Sequence, residues 1–245
     1  MPRTMRTFFD SNSLDSKDFI CLDETESHHL NKVLRLKNGE EVEALDGRGN
    51  IYDTEIYKLD RNNIELKILN KKFFAPPKPL FWMAIAMPKG NRWEDMIRPL
   101  TELGVGRLSP LLTDHSECYN KEKKQETRSQ KWKKIAIDAC KQSGNPWLPI
   151  LDTPQSFSNF LANISEEETV FIGSLSKLAR PFKEYKWEAK DVVSILIGPE
   201  GGWSEEEEKK SEEKGIIPFS LGSNTLRLEN AAVAGLAVAR ERFIL

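Results

Sequence analysis

The hydrophobic pattern of the chain changes near residue 70. Before that point, short apolar runs at 41–45, 51–57 and 64–69 are separated by polar turns, and this spacing predicts short strands. Beyond it, an apolar run at 80–87 predicts a strand and the stretch at 93–103 predicts a helix, after which strands and helices alternate. That alternation predicts an α/β domain built on a parallel sheet.

A proline-rich segment separates the two patterns. Three prolines fall within four positions of Lys71-Lys-Phe-Phe-Ala-Pro-Pro-Lys-Pro, which stiffens the chain and excludes regular structure there. We therefore predict a mostly β domain over 1–74, a linker over 75–79 and an α/β domain over 80–245. The first domain should contain one short helix starting after Thr25 and a hairpin turn at Asp46-Gly-Arg-Gly-Asn.

A glycine-rich turn follows an apolar strand in the second domain. Residues 191–197 form a near-continuous apolar run, typical of a strand covered on both faces, and lead into Gly198-Pro-Glu-Gly-Gly-Trp. Glycines let a ligand approach the main chain closely, and Ser204 with Glu207 forms a capping box that starts a helix. The pattern predicts either a ligand cradle or an ordinary sharp loop.

A second strand, turn and helix follow about 25 residues later along the chain. The segment 216–221 predicts a strand, Gly222-Ser-Asn a turn, and Leu226 the start of an alanine-rich helix. Since parallel sheets bind ligands at the carboxyl ends of their strands, we expect the two turns to line one crevice. Close packing of a terminal helix would explain the alanines, but not Arg227 and Glu229 at the mouth of the crevice.

Composition and charge describe an ordinary globular chain with one basic segment. The 245 residues are 39% hydrophobic and 30% charged, and the net charge of −2 exerts no global attraction on nucleic acid. Between residues 121 and 141, eight bases face three acids, and either a phosphate track or a solvated helix face would explain them. The bases are Lys121, Lys123, Lys124, Arg128, Lys131, Lys133, Lys134 and Lys141.

Cysteines and hydrophobic segments exclude several classes of protein. Cys21, Cys118 and Cys140 lack the spacing of a zinc site or a disulfide framework, so we expect no metal. Neither a signal core nor an apolar run long enough for a membrane span is present, which predicts a cytoplasmic protein without membrane contact. No Gly-x-Gly-x-x-Gly follows a strand, which disfavours a dinucleotide oxidoreductase.

Several motifs together resemble one family, the SPOUT methyltransferases, and within it the enzymes that methylate uracil N3 of small-subunit ribosomal RNA. Gly198-Pro-Glu-Gly-Gly-Trp-Ser followed by Leu226-Arg-Leu-Glu-Asn-Ala is similar to the paired signature of that family. Further similar segments, in the family's order, are His28-His-Leu-Asn-Lys-Val-Leu-Arg-Leu-Lys, Asp46-Gly-Arg-Gly-Asn, Met87-Pro-Lys-Gly-Asn-Arg-Trp-Glu, Thr101-Glu-Leu-Gly-Val and Trp132-Lys-Lys-Ile-Ala-Ile-Asp-Ala-Cys-Lys-Gln-Ser-Gly. The resemblance therefore spans nearly the whole chain.

The resemblance implies an architecture, a cofactor and a partner. It implies a small PUA-like β-barrel that binds RNA, followed by a SPOUT-type α/β domain with a C-terminal trefoil knot. It also implies S-adenosyl-L-methionine as cofactor, a homodimer, and ribosomal RNA as substrate. The residues expected to bind the cofactor are Gly173, Ser174, Leu175, Ile197, Gly198, Pro199, Glu200, Gly201, Gly202, Leu221, Gly222, Ser223 and Leu226.

Roles in catalysis and RNA binding follow from the same resemblance. Arg227 is expected to stabilise the anionic uracil, and Glu200 or Glu229 to act as base if burial disfavours its charged form. Pairing of Arg227 with one of these glutamates is the structural alternative. The residues expected to contact RNA are Arg6, His29, Arg35, Lys37, Lys89 and Arg92. His28 and His29 point about 100° apart on a helix and should not share a metal ion, and His115 has no assigned role.

Some positions depart from the family pattern. Pro99 stands where many relatives carry lysine and should kink or shorten its helix. Asn145, Ser223-Asn224 and Asn230 replace a common arginine, a Pro-Arg pair and a threonine.

Two alternative functions remain open: a related methyltransferase acting on a ribose 2′-hydroxyl of ribosomal or transfer RNA, and an RNA-binding assembly protein without turnover.

Overall fold

The computed structural model describes residues 4–10, 14, 18–60, 63–88, 90, 92–116, 125–185 and 190–244. Contacts between residues group the chain into two compact units. The first consists of Met1–Pro76 with Ile137–Leu148, and the second of Pro77–Ala136 with Pro149–Leu245. Each unit has a hydrophobic core of its own.

The first unit is built on a five-stranded sheet. Its strands are β1 (Arg6–Phe8), β2 (Phe19–Cys21), β3 (Glu41–Leu45), β4 (Asn50–Leu59) and β5 (Ile64–Phe73). They lie in the order β1-β3-β4-β5-β2; β1 and β3 are parallel, and the other pairs are antiparallel. The three strands predicted between residues 41 and 69 are confirmed, and β4 and β5 extend further than predicted.

One short helix and one sharp turn complete this sheet; the turn lies where it was predicted, but the helix begins at Glu24 and not after Thr25. Helix α1 (Glu24–His28) begins after Asp23, whose side chain accepts a hydrogen bond from the Glu26 backbone N–H at 2.8 Å. A π-helical turn, His29–Val33, follows it directly. The predicted hairpin turn joins β3 to β4, where the Asp46 carboxylate accepts hydrogen bonds from the backbone N–H groups of Arg48 (2.8 Å) and Asn50 (3.1 Å).

Residues 137–148 return to the first unit and complete its packing. Ile137 and Leu148 pack against a buried cluster that includes Phe8. Within the same unit, Lys141 Nζ lies 2.6 Å from Glu26 Oε1, and both side chains are almost fully buried. The other oxygen of Glu26 accepts a hydrogen bond from the Thr7 hydroxyl at 2.7 Å, so this carboxylate is satisfied on both sides.

The second unit is the predicted parallel α/β domain. Its strands are β6 (Leu80–Ala86), β7 (Arg107–Leu112), β8 (Ile150–Leu151), β9 (Gln155–Ser156), β10 (Glu168–Gly173), β11 (Val192–Ile197) and β12 (Ile217–Phe219). They form one sheet in the order β12-β10-β11-β6-β7-β8, with β9 also beside β7, and every pairing is parallel. The helices are α2 (Arg92–Glu102), α3 (Gln125–Ser143), α4 (Phe157–Ala162), α5 (Glu205–Glu213) and α6 (Leu228–Ile244), of which α3 belongs to the second unit only as far as Ala136.

Two helix predictions need correction. Helix α6 begins at Leu228 rather than Leu226, because the Arg227 carbonyl accepts the first helical hydrogen bond, from Ala231 N at 2.9 Å. Leu226 therefore belongs to the preceding loop. Helix α2 continues to Glu102, three residues beyond Pro99, so the proline does not shorten it. None of the helices formed by the described residues is long and apolar enough to cross a bilayer.

Candidate functional site

Three loops at the carboxyl ends of neighbouring strands enclose one cavity in the second unit. They follow β10, β11 and β12, and together with the start of α6 they surround about 290 Å³. This volume is close to the lower end of the range typical for small-molecule sites. The lining residues are Gly173, Ser174, Leu175, Ser176, Ile197, Gly198, Pro199, Glu200, Gly202, Trp203, Glu208, Phe219, Ser220, Leu221, Gly222, Asn224, Thr225, Leu226, Leu228 and Ala231.

The cavity brings together most of the residues predicted to bind a cofactor. All of them line it except Gly201 and Ser223, which lie in the same loops. Strand β10 lies between β11 and β12, so the loop that starts at Ser174 stands between the two predicted turns. Sequence reasoning missed Leu228 and Ala231, whose spacing of three places them on one face of α6. It also missed Trp203 as a lining side chain, although the residue stands inside the glycine motif.

The indole of Trp203 ties two of the three loops together. Its Nε1–H donates a hydrogen bond to the Gly173 carbonyl at 2.9 Å, across the carboxyl ends of β10 and β11. The ring packs against Phe157 with centroids 5.1 Å apart. A Cβ at Gly198 would lie 2.8 Å from Trp203 Cε2, so only glycine lets the strand end pass so close to the ring.

The segment after β7 braces the glycine turn from outside the cavity. Glu207 is buried at 4% exposure, and its Oε2 accepts from Ser204 N at 2.9 Å, which completes the predicted capping box. Its Oε1 accepts from Asp114 N at 3.0 Å. The neighbouring His115 places Nδ1 2.9 Å from the Gly202 carbonyl oxygen. His115, which had no role in the sequence prediction, therefore contacts the turn directly.

The charged groups at the cavity mouth do not form the pair between Arg227 and a glutamate that was the structural alternative. Glu200, which lines the cavity, pairs with Arg92 rather than with Arg227. Arg227 is exposed, lies between two lining residues without lining the cavity itself, and pairs with neither glutamate. Glu229 Oε2 is buried and has no hydrogen-bond partner among the described residues. A buried acceptor without a donor is costly, so its retention points to a ligand or partner that supplies one.

The residues predicted to contact RNA divide between the two units. In the first, Arg35 is exposed and adopts a left-handed backbone with φ of 57°, an uncommon conformation for a residue other than glycine. Lys37 is exposed and His29 is half-buried in the π-helical turn. Arg6 pairs with Glu43 at 2.7 Å, a structural contact within this unit. In the second unit Arg92 lies at the cavity mouth, and Lys89 is outside the described residues.

The basic segment is partly neutralised where the structure describes it. Lys131 pairs with Glu94 at 2.5 Å, and Lys141 pairs with Glu26 and Asp138. Lys121, Lys123 and Lys124 lie outside the described residues, as does Cys118. These pairs favour a structural role for part of the segment.

Thiol and metal chemistry have no support in the described residues. Burial raises the pKa of the Cys140 thiol to about 12, which keeps it protonated and unreactive. No group of three histidine, cysteine, aspartate or glutamate side chains in the described ranges could hold a metal ion.

Comparison with known proteins shows the family to which the chain belongs. Residues 76–240 match the family model of an RNA methyltransferase domain, and residues 22–69 match that of an RNA methyltransferase PUA domain. The chain is 32% identical over 221 residues to the ribosomal RNA small subunit methyltransferase E of Synechocystis, covering 89% of this chain and 71% of the relative. It is 28% identical over 244 residues to the protein of that name from Buchnera aphidicola of Schizaphis graminum, covering 99% and 97%.

Solved structures agree with the sequence comparisons. The ribosomal RNA small subunit methyltransferase E of Neisseria gonorrhoeae, bound to S-adenosyl methionine, superposes with a TM-score of 0.88 at 25% identity, covering 98% of each chain. A methyltransferase of Legionella pneumophila with bound S-adenosylmethionine also gives a TM-score of 0.88, at 27% identity and 98% coverage of both chains. The chain therefore belongs to the RNA methyltransferase family that includes the ribosomal RNA small subunit methyltransferase E proteins.

Proposed function

We propose that this protein transfers a methyl group from S-adenosyl-L-methionine to N3 of a uridine in small-subunit ribosomal RNA. The observation that carries the proposal is the convergence of three strand-end loops on one cavity of about 290 Å³. The relatives in the same family are named for methylation of small-subunit ribosomal RNA, and a solved relative binds S-adenosyl methionine. The relatives thus support the reaction, and the cavity is the proposed binding site of the cofactor.

The cavity walls suit a nucleoside cofactor because four of the lining residues are glycines, where a ligand can approach the main chain closely. These glycines are Gly173, Gly198, Gly202 and Gly222, and at Gly198 a Cβ would collide with the Trp203 ring. When bound, S-adenosylmethionine supplies a methyl group made electrophilic by its sulfonium. We assign the binding of its polar groups to the main chain at Ile197, Gly198, Leu221 and Leu226, with Gly173, Ser174 and Leu175 as the third wall.

Proton removal and charge stabilisation fall to residues beside the cavity. Uracil N3 must lose its proton before it accepts a methyl group, and the resulting anion is stabilised by a nearby cation. Arg227 is exposed between two lining residues, which suits contact with a substrate outside the cofactor cavity. Glu229 has a buried oxygen without a partner and is our candidate base, whereas Glu200 is already engaged by Arg92.

The remaining family features belong to the same proposal. We assign residues 1–74 to a PUA-like RNA-binding domain and residues 80–245 to a catalytic domain whose C-terminal segment forms a trefoil knot. The protein acts in the cytoplasm as a homodimer, and a second subunit would complete the substrate site beside α6. The matches to a PUA domain and to an RNA methyltransferase domain support this division.

Product analysis tests the reaction and separates it from its alternatives. The full-length protein is incubated with small-subunit particles from a strain lacking this gene and with methyl-labelled S-adenosylmethionine, and the RNA is digested to nucleosides. We expect the label in 3-methyluridine. Label in a 2′-O-methyl nucleoside would assign a ribose methyltransferase instead, and cofactor binding without any transfer to RNA would assign a binding protein.

A further inference from the structure

Two phenylalanines at the end of β5 are exposed, and the ring of one of them packs against a tryptophan of the same unit. The side chains of Phe73 and Phe74 are 64% and 46% exposed. Phe73 meets the Trp147 ring edge to face, with centroids 6.3 Å apart. Scattered exposed apolar residues are ordinary, but a contiguous aromatic group on the surface marks an interaction site.

The open position of these rings follows from the sheet. The last residues of β5 pair only with β4, because β2 ends its pairing with β5 at Lys67. From Leu69 to Phe73 every β5 residue is exposed, so neither face of this strand end is covered within the unit. The strand end therefore projects its side chains to solvent while one edge remains in the sheet.

A glycine holds the tryptophan in a fixed position beside the strand end. Gly49 has a φ of 92°, and a Cβ there would lie 2.5 Å from Trp147 Cζ2. Trp147 Nε1–H donates to the Phe74 carbonyl at 3.2 Å, while Phe74 N donates to the Gly49 carbonyl at 2.8 Å. The aromatic group is thus pre-organised, which reduces the entropy that binding would cost.

The charges around the rings are positive. Residues 66–76 contain Lys67, Lys71 and Lys72 and no acid. Lys72 pairs with Asp53 at 2.9 Å, but in the described part of the chain no carboxylate pairs with Lys71 or Arg48. Lys71 Nζ lies 5.2 Å from the centroid of the Tyr52 ring, and Arg48 forms a backbone bridge with Trp147. In a chain with a net charge of −2, this is a local cationic site.

We propose that the β5-end surface, made of Arg48, Lys71, Phe73, Phe74 and Trp147, binds an unpaired segment of the substrate RNA. Unpaired bases stack on exposed aromatic rings, while lysine and arginine contact the phosphates that link them. Exposed rings beside unpaired cations are the combination that this ligand requires. The inference rests on the proposed function for the identity of RNA as substrate, and it adds a contact surface distinct from Arg35, Lys37 and the cavity.

Separate variants test the stacking and the charge. The full-length protein carries Phe73→Ser or Lys71→Gln, and its affinity for a labelled single-stranded oligonucleotide of the small-subunit RNA is measured by fluorescence anisotropy over a salt series. We expect Phe73→Ser to weaken binding roughly fivefold to a hundredfold at every salt concentration. Lys71→Gln should weaken binding and reduce the salt slope by about one. Phe74→Ser provides a second stacking variant.

Tyr57→Ser is the matched control, since Tyr57 lies in the same sheet with 57% exposure and should leave RNA affinity unchanged. Wild-type affinity in both Phe73→Ser and Lys71→Gln would overturn the inference, as would an equal loss in the Tyr57 control. Dissociation of an oligomer by the variants in analytical ultracentrifugation would instead assign this surface to self-association. Cofactor affinity, measured by calorimetry, should not change in any variant. If the wild-type protein neither binds cofactor nor methylates RNA, that result contradicts the proposed function. The RNA-binding surface is tested separately, by the oligonucleotide affinities.

Discussion

The Trp203 indole N–H donates a hydrogen bond to the Gly173 carbonyl over 2.9 Å and so joins two loops of the cavity. Replacing Trp203 by phenylalanine keeps most of the ring packing on Phe157 but removes this donor. We expect a loss of about 1 kcal/mol in cofactor binding, roughly a fivefold weaker affinity in calorimetry. Trp82→Phe is the control, because Trp82 Nε1–H donates to Ser109 in the same sheet, away from the cavity. Equal losses in both variants would contradict a specific role for Trp203.

His115 should affect cofactor affinity although it does not line the cavity. Its Nδ1 lies 2.9 Å from the Gly202 carbonyl oxygen, and its side chain packs against Gly201. His115→Ala removes the imidazole and its contact with the Gly202 carbonyl, so it should weaken cofactor binding several-fold, whereas His115→Asn, which keeps a donor near the same position, should restore part of it. Calorimetry gives the affinity and thermal unfolding gives the stability. A fall in stability with wild-type affinity would show that the histidine only supports the fold.

Replacing Arg227 should reduce methyl transfer without weakening cofactor binding. The residue is exposed beside the cavity and does not line it, so Arg227→Ala should leave cofactor affinity within about twofold of wild type. If it stabilises the uracil anion, the same variant should lose 10²-fold or more in methyl transfer, roughly the effect of removing one group that stabilises developing negative charge. Single-turnover transfer to RNA measures this. Near-normal turnover would remove Arg227 from the mechanism.

The buried pair of Lys141 and Glu26 should stabilise the first unit. Burial alone would lower the pKa of Lys141, but its ion pairs with Glu26 and Asp138 together outweigh burial and raise it. Because the folded pKa is raised, this contribution is fully present below the unfolded pKa of lysine, about 10.4, and is lost as the pH rises through the folded value. Lys141→Met leaves Glu26 buried without its partner and should cost roughly 3–5 kcal/mol. Chemical denaturation measures the loss, and adding Glu26→Gln should recover part of it.

Glu168 should make the protein less stable as the pH rises. A carboxylate in an ion pair has the opposite effect. Burial raises the pKa of Glu168, although a hydrogen bond from the Ser194 hydroxyl opposes the effect. The folded state therefore favours the protonated form, and stability falls as the pH rises from the ordinary value of 4.5 through the folded pKa. Glu168→Gln should remove this fall. Denaturation at several pH values tests it, and a wild-type pH profile in the variant would exclude Glu168 as its source.

Local sequence patterns were sufficient to predict the elements that build the site. The apolar run 191–197, the glycines after it and the capping box at Ser204 each follow from short-range chemistry, and each is present in the structure. The start of α6 was misplaced by two residues because Leu226 continues the apolar pattern of the helix while its backbone belongs to the loop. Apolar periodicity does not distinguish a helix start from a loop residue that lines a cavity.

Long-range contacts were not predictable from one sequence. The approach of His115 to the glycine turn depends on where β7 lies relative to β11, with β6 between them. The order β12-β10-β11, which places Ser174 between the two turns, likewise depends on strand order and not on local pattern. The buried contact between Lys141 and Glu26 joins residues 115 positions apart, whereas charge patterning on α3 suggested a solvated helix face or a phosphate track.

Titration of S-adenosylmethionine into the wild-type protein and its Gly198→Ala variant tests the central claim most directly. A Cβ at residue 198 would lie 2.8 Å from Trp203, whereas at Gly235, the control within α6, it would make only ordinary contacts from 3.6 Å outward. We predict a saturable calorimetric signal for wild type and Gly235→Ala, and a loss of at least tenfold in affinity for Gly198→Ala, about 1.4 kcal/mol. Absence of binding by the wild-type protein, or an unchanged affinity in Gly198→Ala, would contradict a cofactor site between these loops.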